Sequence, residues 1–375
     1  MEESRFSVFK ELESRDHEQV LFCRDELSGL RAIVGIHNTM LGPALGGCRM
    51  YPYKSEQEAL VDVLRLSQGM TYKAAVCGLN LGGGKCVVIG DPKQHKTELL
   101  WRALGRFIEG VGGRYITAED AGTTMKDMEF IRMETSHVVG ISRALGGSGD
   151  PSPVTALGCF AGMRATVEER FGKSSLEGLT VAVQGVGHVG YHLVSHLVRA
   201  GVKVFVTDVD NESLKRTTAD YRVEVVSPEE IYSVECDIFA PCAMGGIVNA
   251  DTIPQLKCSI VAGAANNQLG DENRDGEALA ERDILYAPDF VINGGGLINV
   301  ANELEGYNQE RALDQAEGVY DILKDVYSRA KADNIPTYRA ANNLAMDRIE
   351  SIERIRRTYT GLRRGGPGSL IRGVS

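Results

Sequence analysis

The stretch Val181-Ala182-Val183-Gln184-Gly185-Val186-Gly187-His188-Val189-Gly190 decides the fold. An apolar run of strand character enters a G-x-G-x-x-G turn, and an apolar helical pattern, Val189–Ala200, leaves it. That context gives each glycine work. Gly185 permits a tight turn, Gly187 lets backbone approach a pyrophosphate, and Gly190 allows close helix packing, while the helix N-terminus attracts phosphates. Working outward, Leu179–Gln184 and Val202–Val206 read as strands on either side of the helix, and Asp237–Ala240, Ser259–Ala262 and Asp289–Ile292 read as later buried strands. This alternation predicts a mostly parallel, doubly wound sheet. Asp208 ends the second strand, 23 residues after Gly185, where a carboxylate accepts the adenosine ribose hydroxyls and repels a 2′-phosphate. NAD is therefore favoured over NADP. The plainer alternative is a glycine-rich turn with a surface aspartate at a strand end.

Upstream, Leu30–Ile36 and Lys85–Ile89 read as strands, and Ser55–Ser67 and Glu98–Gly110 as helices, so this half is also α/β. The breaker-rich Gly146-Gly147-Ser148-Gly149-Asp150-Pro151-Ser152-Pro153 precedes a helical pattern over Val154–Phe171 and is read as a hinge. The expected organisation is a substrate-binding and oligomerisation domain over 1–148 and a Rossmann-type dinucleotide domain over 149–334. Helices over about 335–375 are expected to pack back on the first domain. The basic end, Arg354–Arg372, is expected to fray.

Composition narrows the function classes. The chain has 375 residues, 43% hydrophobic and 25% charged, as an ordinary globular protein does. Its net charge of −10 argues against nucleic-acid or anionic-membrane binding. Glycine is enriched at 43 residues in short clusters, read as backbone packed close to ligands. Eight cysteines show no metal or disulfide spacing, and the charged N-terminus lacks a secretory pattern, so a reduced cytoplasmic protein is expected. His188, His192 and His196 share a helix face, but no fourth ligand accompanies them, and no metal is assigned.

Lys73, in Gly69-Met70-Thr71-Tyr72-Lys73-Ala74-Ala75, and Lys85, after Gly82-Gly83-Gly84, stand 12 residues apart in apolar or small surroundings. A phosphate-binding GxxxxGK[ST] loop fails, because Leu79 and Cys86 stand where glycine and Ser or Thr are required. Two neighbouring cations depress each other's proton affinity, so one serves as a base while the other holds a carboxylate. Two snorkelling surface lysines are an equal reading of composition alone. Glu119 and Asp120, in Thr117–Thr123, offer carboxylates for a proton relay, or else an acidic cap for a helix starting near Thr124.

With these pieces in place, the chain resembles the amino-acid dehydrogenases acting on glutamate, leucine, phenylalanine and valine, most nearly the leucine-acting members. The matching segments run in order: Leu41–Gly47, Gly69–Ala74, Gly78–Lys85, Thr117–Thr123, Pro151–Gly158, Val181–Gly190, Ala240–Gly245, Gly263–Leu269 and Val291–Leu304. The resemblance implies Lys85 as catalytic lysine, Asp120 as proton relay, and Lys73 with the Gly46-Gly47 backbone as carboxylate clamp. It implies an apolar side-chain pocket of Leu45, Ala118, Leu297 and Val300. It places Thr155, Cys242, Ala243, Asn266 and Asn293 near the nicotinamide, with Gly185, Val186, Gly187, His188, Val189, Gly190 and Asp208 binding the rest of the cofactor. It further implies a cleft that closes between two domains and a homo-oligomer, octamers among the options.

The resemblance has departures. His188 replaces a common asparagine, Gly190 a common alanine, and Leu297 a common valine, the last implying a smaller or differently shaped substrate cavity. The expected activity is NAD-dependent, reversible oxidative deamination of a branched-chain L-amino acid. The alternatives are an aromatic amino-acid dehydrogenase acting on phenylalanine or tryptophan, which Ala118 disfavours, and a non-catalytic NAD-binding protein, which joint retention of Lys73, Lys85 and Asp120 disfavours.

Overall fold

Runs of residues buried on both faces build the first of two sheets. The computed structural model describes residues 6–356, which form two compact units. The first unit takes residues up to Thr71, Asn80–Val138 and those from Met346 onward; the second takes Tyr72–Leu79 and Val139–Ala345. The expected division at 148/149 thus falls inside the second unit, and the last helix is shared between them. Arg354–Arg356 close that helix, and the rest of the basic end lies outside the described residues.

In the first unit, α1 (Val8–Arg15), β1 (Gln19–Asp25), β2 (Leu30–Asn38), β3 (Ala44–Tyr51), α2 (Glu56–Val76), β4 (Gly82–Ile89), α3 (Glu98–Gly110), β5 (Tyr115–Glu119) and α4 (Met125–Arg132) follow in order, the last turn of α2 belonging to the second unit. The sheet order is β1-β2-β4-β3-β5, with β3 parallel to both β4 and β5. Central β3 and β4 are buried almost throughout, as strands covered on both faces are. Ala59, Leu60, Val63 and Leu64 of α2 pack on Ile33 and Val87. Helix α3 has the expected bounds: the Thr97 side chain caps Leu100 N–H, and Leu100, Trp101, Leu104 and Ile108 form its buried stripe.

Two expectations here change. Helix α2 does not stop at Ser67 but runs to Val76, so Lys73 lies on a helix; Gly69 meets nothing that would interrupt it. Gly82, Gly83 and Gly84 are inside β4, because a Cβ there would lie 1.9 Å from Asn38 O, 2.1 Å from Thr71 N and 2.7 Å from the Tyr115 ring. Gly46 and Gly47 are as crowded, by Gly84 O at 1.7 Å and Glu119 O at 2.6 Å. These clusters are packed against the chain's own backbone, not only toward ligand space.

The second unit contains α5 (Ser152–Phe171), β6 (Thr180–Gln184), α6 (His188–Arg199), β7 (Lys203–Thr207), α7 (Asn211–Asp220), β8 (Glu224–Val225), β9 (Ile238–Pro241), β10 (Ile260–Val261), α8 (Glu272–Glu281), β11 (Leu285–Tyr286), α9 (Asp289–Ile292), α10 (Gly295–Ala301), α11 (Gln309–Glu317), α12 (Val319–Asp333) and α13 (Thr337–Arg356). Its six strands are all parallel in the order β11-β10-β9-β6-β7-β8, the doubly wound arrangement expected. The order reverses at β6 and β9, where such sheets bind ligands. Asp289–Ile292 is helix, not strand: Ile292 N–H bonds Pro288 O at 3.0 Å and Asn293 N–H bonds Asp289 O at 3.0 Å. The strand that closes the sheet is β11, two residues long. Among the described residues no helix is long and apolar enough to cross a membrane.

Candidate active site

Asp120 follows β5 in a turn stitched to its neighbour strand. Asp120 N–H donates to Thr123 Oγ1 at 2.9 Å, Thr123 Oγ1 donates to Cys48 O at 2.9 Å, and Met50 N–H donates to Ala121 O at 3.0 Å. This fixes the carboxylate beside Lys85, whose Nζ lies 2.8 Å from Asp120 Oδ2. Lys85 is only 5% exposed, so the snorkelling alternative fails for it. The acidic-cap alternative fails for Asp120, because Thr124 caps α4 in a box with Asp127. Burial pushes the Asp120 carboxyl up, but Lys85 and then Arg49 outweigh it and hold the group below the ordinary carboxylate range. The pair can hold a proton acceptor and a cation within one hydrogen bond of each other. Leu45, Gly46, Gly47 and Ala118 lie on this sheet: Leu45 pairs with Ile116, Gly46 with Thr117, and Gly47 with Ala118.

In the second unit, Lys73 Nζ donates to Asn293 Oδ1 at 2.6 Å, and Asn293 Nδ2 donates to Asn266 Oδ1 at 2.8 Å. Lys73 is thereby joined to two residues expected near the nicotinamide. Thr155 Oγ1 stands 2.8 Å from where a Cβ on Gly296 would be, one residue before Leu297 in α10, whose side chain is buried; Val300 is partly exposed.

The glycine turn behaves as its spacing predicts. Gly185 has φ 96°, a left-handed conformation that favours glycine. A Cβ on Gly190 would fall 2.0 Å from Gly185 O, whereas one on Gly187 would meet nothing within 4 Å. Gly187 and His188 are exposed at the start of α6, Val186 is buried and Val189 partly so. Cys242 N–H donates to Gln184 O at 2.7 Å, and Ala243 Cβ lies 2.6 Å from a Cβ position on Gly185, so the loops after β6 and β9 meet at the order reversal. Burial pushes the Cys242 thiol up to about 12, which keeps it protonated. Asp208 sits just past β7, its Oδ2 accepting Val186 N–H at 2.7 Å and its Oδ1 accepting Asp210 N–H at 2.9 Å. An open cradle at a helix N-terminus, with a carboxylate fixed at the end of the adjacent strand, fits a dinucleotide.

Sequence reasoning missed Arg49, Asp62 and Tyr53. Arg49 Nε donates to Asp120 Oδ2 at 3.1 Å and Nη1 to Asp62 Oδ2 at 3.0 Å, while Tyr53 OH donates to the same Asp62 oxygen at 2.7 Å. The available signal was an arginine inside an otherwise apolar strand run.

Family models match at both ends of the chain: Glu/Leu/Phe/Val dehydrogenase, dimerisation domain, over residues 17–137, and Glutamate/Leucine/Phenylalanine/Valine dehydrogenase over residues 206–357. The chain is 57% identical to leucine dehydrogenase of Geobacillus stearothermophilus over 94% of its own length and 96% of that protein's. It belongs to the glutamate/leucine/phenylalanine/valine dehydrogenase family. Such enzymes are oxidoreductases acting on CH–NH2 groups, and this chain is an amino-acid dehydrogenase. Phenylalanine dehydrogenase of Thermoactinomyces intermedius is 48% identical over 93% of this chain and 96% of that one. The crystal structure of L-tryptophan dehydrogenase from Nostoc punctiforme superposes with a TM-score of 0.82 at 47% identity, covering 92% of this dehydrogenase and 99% of that chain.

Proposed function

We propose that this dehydrogenase carries out the reversible, NAD-dependent oxidative deamination of branched-chain L-amino acids, leucine with valine and isoleucine, to their 2-oxo acids and ammonium. The observation that carries the chemistry is the buried contact of Lys85 with Asp120 at 2.8 Å. Lys73 binds the substrate carboxylate, as does backbone at Gly46 and Gly47, and Leu45, Ala118, Leu297 and Val300 give the side chain apolar contacts. Asp120 accepts a proton from the substrate ammonium, freeing the amine lone pair. A nicotinamide held there would supply the acceptor for the Cα hydride as the imino acid forms. Lys85, as the free amine, takes a proton from the water that adds to the imino carbon, and its ammonium form stabilises the charge that develops. Asp120 returns its proton to the nitrogen, and as the C–N bond breaks and ammonia leaves, the carbinol hydroxyl gives its proton to the regenerated Asp120 carboxylate and the oxo acid remains.

Gly185, Val186, Gly187, His188, Val189 and Gly190 would hold the pyrophosphate, Asp208 the adenosine ribose, and Thr155, Cys242, Ala243, Asn266 and Asn293 the nicotinamide end. The carboxylate of Asp208 supports NAD over NADP. The dimerisation description of the matched N-terminal model supports a homo-oligomer, proposed as an octamer. The free cysteines support a cytoplasmic setting. NADH oxidation with ammonium over a panel of 2-oxo acids tests the reading. 2-Oxoisocaproate and 2-oxoisovalerate are expected to lead, within ~10–200-fold of each other because a methylene in an apolar pocket is worth only ~1–3 kcal/mol. Preference for phenylpyruvate or indolepyruvate would replace the branched-chain assignment with an aromatic one.

A further inference from the structure

One guanidinium joins Asp120 to a second carboxylate that the proposed chemistry does not use. Arg49 of β3 spans Asp120 and Asp62, and Asp62 is saturated by Tyr53 OH at 2.7 Å on Oδ2 and Arg65 Nη2 at 3.1 Å on Oδ1. The Arg49 and Asp62 side chains are 23% and 16% exposed, so this anchor is largely sheltered from solvent. We propose that Arg49, anchored by Asp62 and Tyr53, is a positioning residue that keeps Asp120 ionised and aimed, ready to take the substrate's proton, while Lys85 stands as the free amine. The inference rests on the proton-transfer roles of Asp120 and Lys85 proposed above.

Several elements surround the carboxylate. Lys85 faces it from β4, Arg49 from β3, Asp62 from α2 behind the arginine, Tyr53 from the segment after β3, and Tyr115 from β5 with the thiols of Cys48 and Cys86 near it. Tyr115 donates its hydroxyl to Gly46 O at 2.7 Å, and burial raises its pKa first of all, so it adds no charge. Arg49 and Lys85 are therefore the two cations on Asp120. They differ in one respect that matters: a guanidinium stays protonated through the working pH range, whereas a lysine acting as a base must lose its proton. When Lys85 is neutral, Asp120 has lost its nearer cation, and Arg49 alone opposes the burial that would protonate it. The planar fork explains the residue type, since separate N–H groups reach two carboxylates set on different elements, which one ammonium does less well.

The test is kcat against pH for amino-acid oxidation by the full chain and by Arg49→Met, Arg49→Lys, Asp62→Asn and Asp120→Asn. An opposite charge at this range lowers a carboxyl pKa by ~1–3 units, so Arg49→Met is expected to move the acid limb up by about one unit or more, with NADH affinity unchanged. Arg49→Lys keeps the charge and should keep the limb within about half a unit of the parent while losing kcat through poorer aim. Asp62→Asn, a milder change that serves if Arg49→Met does not fold, should lower kcat at unchanged KM without moving the limb up. A parental limb in Arg49→Met, a limb in Arg49→Lys shifted as far as in Arg49→Met, or parental kcat in Asp62→Asn would overturn the inference. Asp120→Asn separates the two levels. If it is active, the role of Asp120 falls; if it is inactive while Arg49→Met keeps the parental limb, only the role of Arg49 falls.

Discussion

Truncating Lys85 to alanine removes the nearer of the two cations on Asp120. Breaking a buried ion pair costs ~3–5 kcal/mol where the surviving charge is left alone. Here it is not alone: Arg49 remains 3.1 Å from the same oxygen, and the Asp120 side chain is 22% exposed. The expected cost is therefore below that range, about 1–3 kcal/mol, or ~1–2 °C of melting temperature for each kcal/mol at the unfolding entropy of a chain of this length. The pH dependence follows from Asp120. A carboxyl held below its ordinary value contributes stability that is complete above that ordinary value and is lost as pH falls through the folded-state value. Lys85→Ala surrenders part of it, so the gap in melting temperature between parent and variant should close in acid. Activity should suffer far more than stability. Positioned acid-base groups contribute ~10²–10⁴-fold, so kcat is expected to fall by about 10³, close to 4 kcal/mol of barrier. Lys85 lies outside the dinucleotide turn, so NADH titrated by fluorescence should bind as before. Turnover within tenfold of the parent, in a variant that binds NADH, would refute the reasoning.

Replacing Gly187 with valine should leave the protein folded, since a Cβ there meets nothing within 4 Å, yet abolish NADH binding by filling the cradle. An unaltered dissociation constant would place the pyrophosphate elsewhere. Asp208→Ser should raise kcat/KM for NADP relative to NAD, helped by Arg216, whose Nη2 already lies 3.3 Å from Val186 O; an unchanged ratio would mean another residue sets the choice. Burial, and then the neighbouring His37, holds His17 down to about 4, so the folded protein keeps it neutral where the unfolded chain, with a pKa near ~6.5, takes a proton. Stability from this group is complete above the unfolded value and declines as pH falls from there to about 4. His17→Gln should flatten that part of the melting curve, and a slope identical to the parent's would dismiss the residue.

The dinucleotide half was legible because its signals are local. A strand, three glycines, a helix and an acidic residue fall within thirty or so positions, and β6, α6 and β7 form within one residue of their expected bounds. Short apolar runs were not legible: Asp289–Ile292 has strand composition, but four residues cannot display a period, and Pro288 opens a helical turn. The strand reading begins only at Lys85 because glycine is scarce in strands, whereas close neighbours demand it at Gly82–Gly84. Lys85 and Asp120 stood out as unusual residues in unusual surroundings. Arg49 and Asp62 did not, because Arg49 meets Asp120 across 71 positions, a separation that no window along the chain displays, and Asp62 gains its role only through Arg49.

The floor of glycines under Lys85 also limits how this enzyme can vary. At Gly46, Gly47, Gly82, Gly83 and Gly84 a single methyl group would collide with backbone or with the Tyr115 ring. At the first four of these the nearest neighbour is backbone, so the strands themselves would have to part; at Gly84 it is the fully buried Tyr115 ring. Saturation libraries aimed at those five positions should return almost nothing but glycine among folded clones. In the proposed pocket, changes of substrate range would then be left to residues such as Leu297, whose buried side chain can be exchanged without moving backbone.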